Sequence, residues 1–338
     1  MQSTDVLGVR HFYELTSPVG SGPVLVFIHG WLLSRRYWEP LIRILSPYFQ
    51  CLTYDLRGFG ESGNEDTLAV NSVDLRTAIA LGQDDSFVQS CLVKSIQTPY
   101  TPAAYAQDLV LLLKQLDISQ AWLVGHSLGG SIALWAAGLA PQTIAGTVCL
   151  NAGGGIYVKE AFDRFRKAGE QMIAVRPPWL PSVPFLDFVF SRIMVHQPLA
   201  RRWGHQRVVD FVSAHAKAAR RSLLDSTLPE EVHLLPQVVA QLQQPVYFLA
   251  GQQDRVMELK YVYHLASFHH LFQAGAQNVI EIPQCGHMGM VEQPEAIAAA
   301  LQQIVKSPSL KVPSQSAVPF APYPTEIDES SASETKYK

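Results

Sequence analysis

Cysteine is scarce in this sequence. Its 338 residues include four, at Cys51, Cys91, Cys149 and Cys285. No two of them form a CxxC pair, so we expect no structural zinc site. So few cysteines in so long a chain also argue against the disulfide frameworks of small secreted domains. We therefore expect a protein of a reducing compartment, the cytoplasm.

Long apolar runs and an excess of basic residues are missing too. The richest apolar run, residues 24–33, falls short of the roughly 18 residues that a spanning helix needs. The N-terminus has no basic region followed by an apolar stretch, so we predict no secretory signal. With 26 Lys and Arg against 29 Asp and Glu, the chain lacks the basic surplus of a nucleic-acid binder. We expect a soluble globular protein with no nucleic-acid partner.

Short, almost wholly apolar runs alternate with longer amphipathic segments. The runs predict buried strands at 24–29, 51–55, 121–126, 147–152, 246–251 and 278–283. The segments predict helices at 101–116, 127–140, 258–276 and 292–305. Alternation of this kind predicts an α/β fold with a mostly parallel central sheet flanked by helices.

Three regions interrupt the alternation and set the predicted domain organisation. Residues 64–100 form a polar insertion within the core, and residues 154–240 carry helical patterns that predict a helical lid. Residues 307–338 are rich in Ser, Pro and charge, which predicts a disordered C-terminal tail. The predicted core is then residues 1–153 and 241–306.

The sharpest motif is the G-x-S-x-G of residues 125–129, placed where a predicted strand ends and a helix begins. Glycines two positions before and after Ser127 allow the tight turn that presents a serine hydroxyl above a sheet. The start of the following helix favours developing negative charge. The pattern predicts Ser127 as a nucleophile.

A nucleophilic serine needs a base and a group that orients the base. Asp254 follows the predicted strand 246–251, and His287 follows the strand 278–283. All three residues come at the carboxyl ends of strands, where open α/β sheets bind ligands. Their order along the chain, Ser, Asp and His, is that of nucleophile-elbow hydrolases. We therefore predict Asp254 as the acid and His287 as the base.

The two donors of an oxyanion hole are predicted to be backbone N–H groups. Trp31 follows His29 and Gly30 after the first predicted strand, and Leu128 follows the nucleophile. His29 could act as a second base, but we interpret it as a structural residue whose hydrogen bonds hold this loop.

Three other patterns suggest sites that we do not favour. Residues 58–63 match G-x-G-x-x-G, but a polar loop follows where a dinucleotide site needs a helix. His264, His269 and His270 lack the spacing that places two imidazoles on one helix face, so we predict no metal site. Cys285 is interpreted as a buried apolar residue rather than a redox sensor.

The predicted lid carries the residues that suggest a substrate. Its aromatic residues Trp179, Phe185 and Phe188, together with Met288 beside the base, are candidates for an apolar substrate pocket. The lid surface could also touch a membrane peripherally, although packing onto the core explains these side chains equally well. A basic cluster accompanies them at Arg201, Arg202, Arg207, Arg220 and Arg221, and we favour a solvated helix face over a headgroup site.

The chain resembles the α/β-hydrolase superfamily, in the subgroup of serine hydrolases with a helical lid. The resemblance rests on residues 29–31, 55–62, 125–130, 251–254 and 285–294. It implies the α/β-hydrolase fold with the lid inserted after the sixth strand. It also implies Ser127 as nucleophile, Asp254 as acid, His287 as base, and no cofactor.

From these features we expect a hydrolase that cleaves a small, hydrophobic carboxylic ester, such as a lipid or isoprenoid ester. Two alternatives stay open: a C–C bond hydrolase or lyase with the same triad, and a non-catalytic ligand receptor. Haloalkane dehalogenase and epoxide hydrolase chemistry is disfavoured, since those relatives use a carboxylate nucleophile where this chain has Ser127.

Overall fold

The computed structural model describes residues 1–63, 99–155, 159–275 and 278–306. An eight-stranded sheet forms its centre, in the order β1-β2-β4-β3-β5-β6-β7-β8. The strands are β1 Gln2–Val6, β2 Val9–Leu15, β3 Val24–Ile28, β4 Cys51–Tyr54, β5 Ala121–His126, β6 Ile144–Leu150, β7 Val246–Gly251 and β8 Val279–Ile282. The predicted tail, and the predicted insertion apart from positions 99 and 100, lie outside the described residues.

The sheet is mostly parallel. Strands β3 to β8 run in the same direction, whereas β1 pairs with β2, and β2 with β4, in antiparallel fashion. The six predicted strands are all present, and the α/β-hydrolase fold class is confirmed. The N-terminal hairpin of β1 and β2 was not predicted. Its outer strand is mostly exposed, so it lacks the apolar run by which the other strands were recognised.

Helices cover both faces of the sheet. In chain order the α-helices are α1 Glu39–Leu45, α2 Pro102–Gln115, α3 Leu128–Leu139, α4 Lys159–Ala174, α5 Leu186–Phe190, α6 Arg201–Ser213, α7 Ala216–Ser226, α8 Pro229–Gln241, α9 Leu259–Ala266, α10 His270–Gln273, α11 Gly289–Glu292 and α12 Pro294–Lys306. The segment predicted as one helix at 258–276 is two helices, α9 and α10. The segment predicted at 292–305 begins one turn earlier, as α11, and continues as α12.

Alternating side chains of the buried strands belong to two separate hydrophobic clusters, one on each face of the sheet. Val24, Val26 and Ile28 of β3 belong to the cluster that includes α2 and α3. Leu25 and Phe27 of the same strand belong to the cluster that includes α1 and α12. Successive residues of a strand point to opposite faces, so a continuous apolar strand is what a doubly covered sheet requires.

The segment between β6 and β7 is mainly helical where the structure describes it. It holds α4 to α8, and the connection between α4 and α5 includes a 3-10 turn at Leu180–Ser182. The last helix, α8, buries Leu235, Val238 and Val239 in the same cluster as α3. It therefore packs as part of the layer over the sheet, while α6 and α7 reach the loop that follows β3. Within the described residues no helix is both long and apolar enough to cross a membrane.

Candidate active site

Ser127 lies in a backbone conformation that L-residues seldom adopt, between β5 and α3. Its φ is 51° and its ψ is −119°. The two flanking glycines permit this turn through close backbone contacts. A Cβ at Gly125 would lie 2.1 Å from the carbonyl oxygen of Gly129, and a Cβ at Gly129 would lie 2.3 Å from that of Ile28. The strained turn and the two glycines together form a nucleophile elbow.

Asp254 and His287 form a direct pair at the carboxyl ends of β7 and β8. The Nδ1 of His287 lies 2.8 Å from Oδ2 of Asp254, and both side chains are buried. A carboxylate accepts, so Nδ1 carries the proton and donates it to this bond. The lone pair of a neutral His287 is then on Nε2, the nitrogen that a base would use.

Four donors converge on the Asp254 carboxylate. Besides His287, the backbone N–H groups of Val256 and Met257 donate to Oδ1 over 2.8 and 2.9 Å, and Nδ2 of Asn151 donates to Oδ2 over 2.9 Å. Burial by itself would raise the pKa of Asp254, but the interaction with His287 and the backbone donors lower it below its ordinary value. Asp254 is therefore held as a carboxylate.

Asn151 is a site residue that the sequence reasoning missed. It follows β6 at a φ of 48° and also donates from Nδ2 to the carbonyl of Gly286 over 3.0 Å. Its amide thus joins Asp254 to the loop that carries His287. Its position at the carboxyl end of a predicted strand could have identified it, since the same rule identified Asp254.

His126 joins the turn of Ser127 to the loop that carries His287. Its Nε2 lies 2.7 Å from the backbone carbonyl of His287, and the two imidazole rings are 4.9 Å apart. Burial lowers the pKa of His126 to about 3, so the ring is neutral and donates through Nε2–H. Among the described residues, Ser127 Oγ makes no hydrogen bond within 3.5 Å. Within the described residues, Ser127 and His287 are therefore not joined by a hydrogen bond. Catalytic hydrogen bonds are often unformed until a substrate binds.

The loop after β3 lies against Ser127. A Cβ built on Gly30 would lie 3.2 Å from the Cβ of Ser127. In the part of the chain that the structure describes, the backbone N–H groups of Trp31 and Leu128 have no acceptor. Two unpaired donors next to a serine are what an oxyanion hole needs.

His29 holds this loop, in the structural role predicted for it. The backbone N–H of Leu56 donates to Nε2 of His29 over 3.0 Å, so Nδ1 carries the proton and donates to the carbonyl of Gly30 over 2.8 Å. Burial lowers the pKa of His29. With both nitrogens engaged and the ring neutral, His29 is not available as a second base.

The glycine-rich turn at 58–63 supports the loop after β3. It ends in a 3-10 turn at Gly60–Gly63. The backbone N–H of Glu61 and that of Arg35 both donate to the buried Asp55 carboxylate, over 3.0 and 2.7 Å. A Cβ at Gly60 would lie 2.4 Å from the Asp55 carboxyl carbon. The glycine there makes room for a carboxylate of the chain itself.

The proposed pocket residues differ in exposure. Trp179 and Phe185 are 64% and 72% exposed, and Phe188 is exposed as well, whereas Met288 is buried in the cluster beneath α1 and α12. The pocket assignment thus stays a prediction. The basic cluster is dispersed: Arg207 is buried and donates to the carbonyls of Phe190 and Ile193, while the carboxylates of Asp187, Glu170 and Asp225 pair with Arg201, Arg220 and Arg221.

The histidines in and beside α9 and α10 and Cys285 are the other candidates from the sequence, and the contacts of His269 and Cys285 are structural. Within the described residues, no group of His, Cys, Asp or Glu side chains could hold a metal ion. His269 caps α10 by accepting from the backbone N–H of Leu271 over 3.2 Å. Cys285 is buried, and burial raises the pKa of its thiol far above the ordinary value, which keeps it protonated and unreactive.

Fold and site together define a protein of the α/β-hydrolase class. The sequence model described as "Alpha/beta hydrolase family" matches residues 25–300. This match covers more than half of the chain, and the chain belongs to the alpha/beta hydrolase family.

Proteins with similar sequences include enzymes that are named for different reactions. A pimeloyl-[acyl-carrier protein] methyl ester esterase of Xanthomonas campestris pv. campestris (strain B100) is 26% identical over 309 residues, 85% of this chain and 96% of the relative. A non-heme chloroperoxidase of Streptomyces lividans is 29% identical over 223 residues, 62% of this chain and 68% of the relative. Among solved structures, a thermophilic esterase from Thermogutta terrifontis superposes with a TM-score of 0.63 at 21% identity, covering 91% of this chain and 99% of that one.

Proposed function

We propose that the protein is a carboxylic-ester hydrolase that works through Ser127, His287 and Asp254. One observation carries the proposal. A buried, donor-rich Asp254 orients His287 beside a strained serine turn, and two unpaired backbone N–H groups flank that turn. Membership of a hydrolase family and an esterase among the relatives support the same conclusion.

In the proposed reaction, the Oγ of Ser127 attacks the carbonyl carbon of the ester while Nε2 of His287 takes the hydroxyl proton. The Asp254 carboxylate keeps the proton on Nδ1 and stabilises the imidazolium that forms. The negative charge on the former carbonyl oxygen accepts hydrogen bonds from the N–H groups of Trp31 and Leu128.

The intermediate then breaks its bond to the alcohol, which receives the proton from His287 and leaves an acyl group on Ser127. Water attacks the acyl group, again giving a proton to His287 and passing through the same oxyanion site. Release of the acid restores Ser127. No step needs a metal or a cofactor.

The substrate is proposed to be hydrophobic because of the surface of the segment between β6 and β7. Among the described residues the exposed large apolar side chains concentrate there: Met172, Val175, Trp179, Phe185, Phe188, Val189, Ile193 and Met194. Such a surface suits an apolar acyl chain or peripheral contact with a membrane. Trp179→Ala and Phe185→Ala should weaken co-sedimentation with anionic vesicles, while Tyr48→Ala, an exposed aromatic between α1 and β4 and outside this segment, should not. Equal binding of all three variants would remove membrane contact from the proposal.

The proposed activity is tested by hydrolysis of a p-nitrophenyl ester series from acetate to palmitate. We expect turnover that Ser127→Ala abolishes in a folded protein, with an optimum at longer chains. A Ser127→Ala protein with wild-type turnover would overturn the proposed role of Ser127. No hydrolysis of any ester by the wild type would shift the assignment towards C–C bond chemistry or ligand binding alone.

A further inference from the structure

The loop that carries the proposed oxyanion donor Trp31 is held from the helical segment between β6 and β7. Ser34 donates from Oγ to Oδ2 of Asp210 on α6 over 2.9 Å. The indole Nε1–H of Trp31 donates to the carbonyl of Ala219 on α7 over 2.8 Å. Both contacts join residues more than 170 positions apart, so they form only when this segment is docked.

The backbone of this loop is strained at one residue, and the contacts described above can hold it in that conformation. Leu32, between Trp31 and Ser34, has a φ of 56°, a conformation unfavourable for a branched side chain. Residues in strained conformations persist when surrounding contacts over-determine them. On the core side the loop is held by His29 and by the backbone N–H of Arg35 bound to Asp55. On the other side it is held by Ser34 bound to Asp210 and by the Trp31 indole bound to the carbonyl of Ala219.

Asp210 is a costly residue to bury. Its side chain is 4% exposed, and it accepts from Ser34 and from Nε2 of Gln206 over 2.9 Å each. The groups that face it are Tyr37 from the turn before α1, Asp55 from the loop after β4, and Arg207 from its own helix, which lies beside Tyr37. The ion pairs within the described residues include none to Asp210. A buried carboxylate without a paired cation destabilises the fold, so its presence calls for a role.

We propose that Asp210 is a positioning residue that holds the Trp31 backbone N–H in the oxyanion hole through Ser34. The inference rests on the proposed function, because Trp31 matters only where an oxyanion forms. It makes the helical segment part of the catalytic apparatus as well as a cover for the site. The Trp31 side chain helps to hold the loop in the same position by its hydrogen bond to Ala219, while the Trp31 backbone N–H donates to the oxyanion.

The first test reads the loop itself and needs no catalytic activity. Hydrogen–deuterium exchange of residues 29–36 should become faster in Asp210→Ala than in the wild type. Asp210→Asn keeps an oxygen that accepts from Ser34, so its exchange should stay near the wild-type rate. Asp225→Ala is the matched control, since Asp225 is equally buried on α7 but pairs with Arg221 of its own helix. Unchanged exchange in Asp210→Ala would overturn the proposal.

The second test reads the oxyanion hole. The concentration of active enzyme is first measured by titrating Ser127 with a fluorophosphonate. On that basis, Asp210→Ala should lower kcat about tenfold or more while KM stays nearly constant. A loss of this size is expected when a hydrogen-bond donor is displaced by a fraction of an ångström. Inhibition by a phenylboronic acid, whose adduct with Ser127 carries a tetrahedral oxyanion, should weaken by a similar factor. Asp210→Asn should restore both, and Ser34→Ala combined with Asp210→Ala should be no worse than either alone.

The outcomes distinguish the two proposals. A wild type without serine-dependent turnover counts against the proposed function, and the exchange experiment still decides whether Asp210 holds the loop. In another outcome, the wild type turns over esters while Asp210→Ala is less stable but has the same kcat and the same boronate inhibition. That result would make Asp210 a purely structural residue and overturn the inference.

Discussion

His126, the residue before the proposed nucleophile Ser127, donates a hydrogen bond to the backbone carbonyl of His287, the proposed base, over 2.7 Å. A carbonyl can only accept, so the neutral His126 carries its proton on Nε2. The Nδ1 atom is buried and has no hydrogen-bond partner within the described residues. His126, the first variable position of the G-x-S-x-G motif, therefore joins the turn of Ser127 to the loop of His287.

Replacing His126 with Phe should leave the His287 carbonyl buried and unpaired. We expect the free energy of unfolding to fall by about 1–3 kcal/mol, the usual cost of an unsatisfied buried group. The loop of the base should also become looser, with kcat falling more than KM changes. Urea denaturation and ester kinetics measure the two effects. Lower stability with an unchanged kcat would show that this bond stabilises the fold without positioning the base.

Asn151→Ala should remove one of the four donors to Asp254 together with the link to Gly286. Because hydrogen bonds to charged groups contribute about 1.5–3 kcal/mol, we expect a loss of stability of that size and a fall in kcat. Asn278→Ala is the matched control. Asn278 is equally buried and donates to Val246, but it lies at the opposite end of the strands. A similar fall in kcat in both variants would argue against a specific role for Asn151.

Gly129→Ala should be severely damaging, because its Cβ would lie 2.3 Å from the carbonyl oxygen of Ile28. The backbone must shift, and the shift moves Ser127 and the Leu128 N–H together. We expect turnover to fall by about 100-fold, as for a donor displaced by an ångström. Gly22→Ala, which would meet no atom within 4 Å, should change neither turnover nor stability. Near-normal turnover in Gly129→Ala would mean that the turn tolerates a side chain.

The stability of the protein should depend on pH through Asp210. Burial raises the pKa of Asp210 to about 7 from an ordinary 3.8, so between these values the folded chain holds a proton that the unfolded chain releases. This group therefore makes the free energy of unfolding fall as pH rises through that window, by about 1.4 kcal/mol per pH unit at most.

Asp210→Asn removes this contribution and should stabilise the protein more at pH 8 than at pH 5. Urea denaturation of both proteins at the two pH values measures the difference. Asp117→Asn makes the same chemical change at an exposed site and should leave the pH dependence as it is in the wild type. An equal effect of Asp210→Asn at pH 5 and pH 8 would contradict the raised pKa.

Much of the fold was predictable because it depends on local patterns. Six strands are continuous apolar runs, since both of their faces are covered. The N-terminal hairpin was missed, although Val9, His11 and Tyr13 of β2 alternate as buried residues with the more exposed Arg10, Phe12 and Glu14. The sequence of β2 thus has the period of two that is typical of a strand. The neighbouring β1 is polar and lacks an apolar pattern, so the hairpin was not recognised.

The sequence by itself determined the strained serine turn, the order of the three proposed catalytic residues and the strand ends that carry them, because glycine spacing and strand periodicity are local properties. Only the tertiary structure decided that Asn151 reaches Asp254, that His126 reaches the loop of His287, and that Asp210 reaches Ser34. These contacts join residues 103, 161 and 176 positions apart. Their partners are set by how the sheet and the helical segment pack, and side-chain hydrogen bonds between distant residues leave no periodic pattern in a sequence.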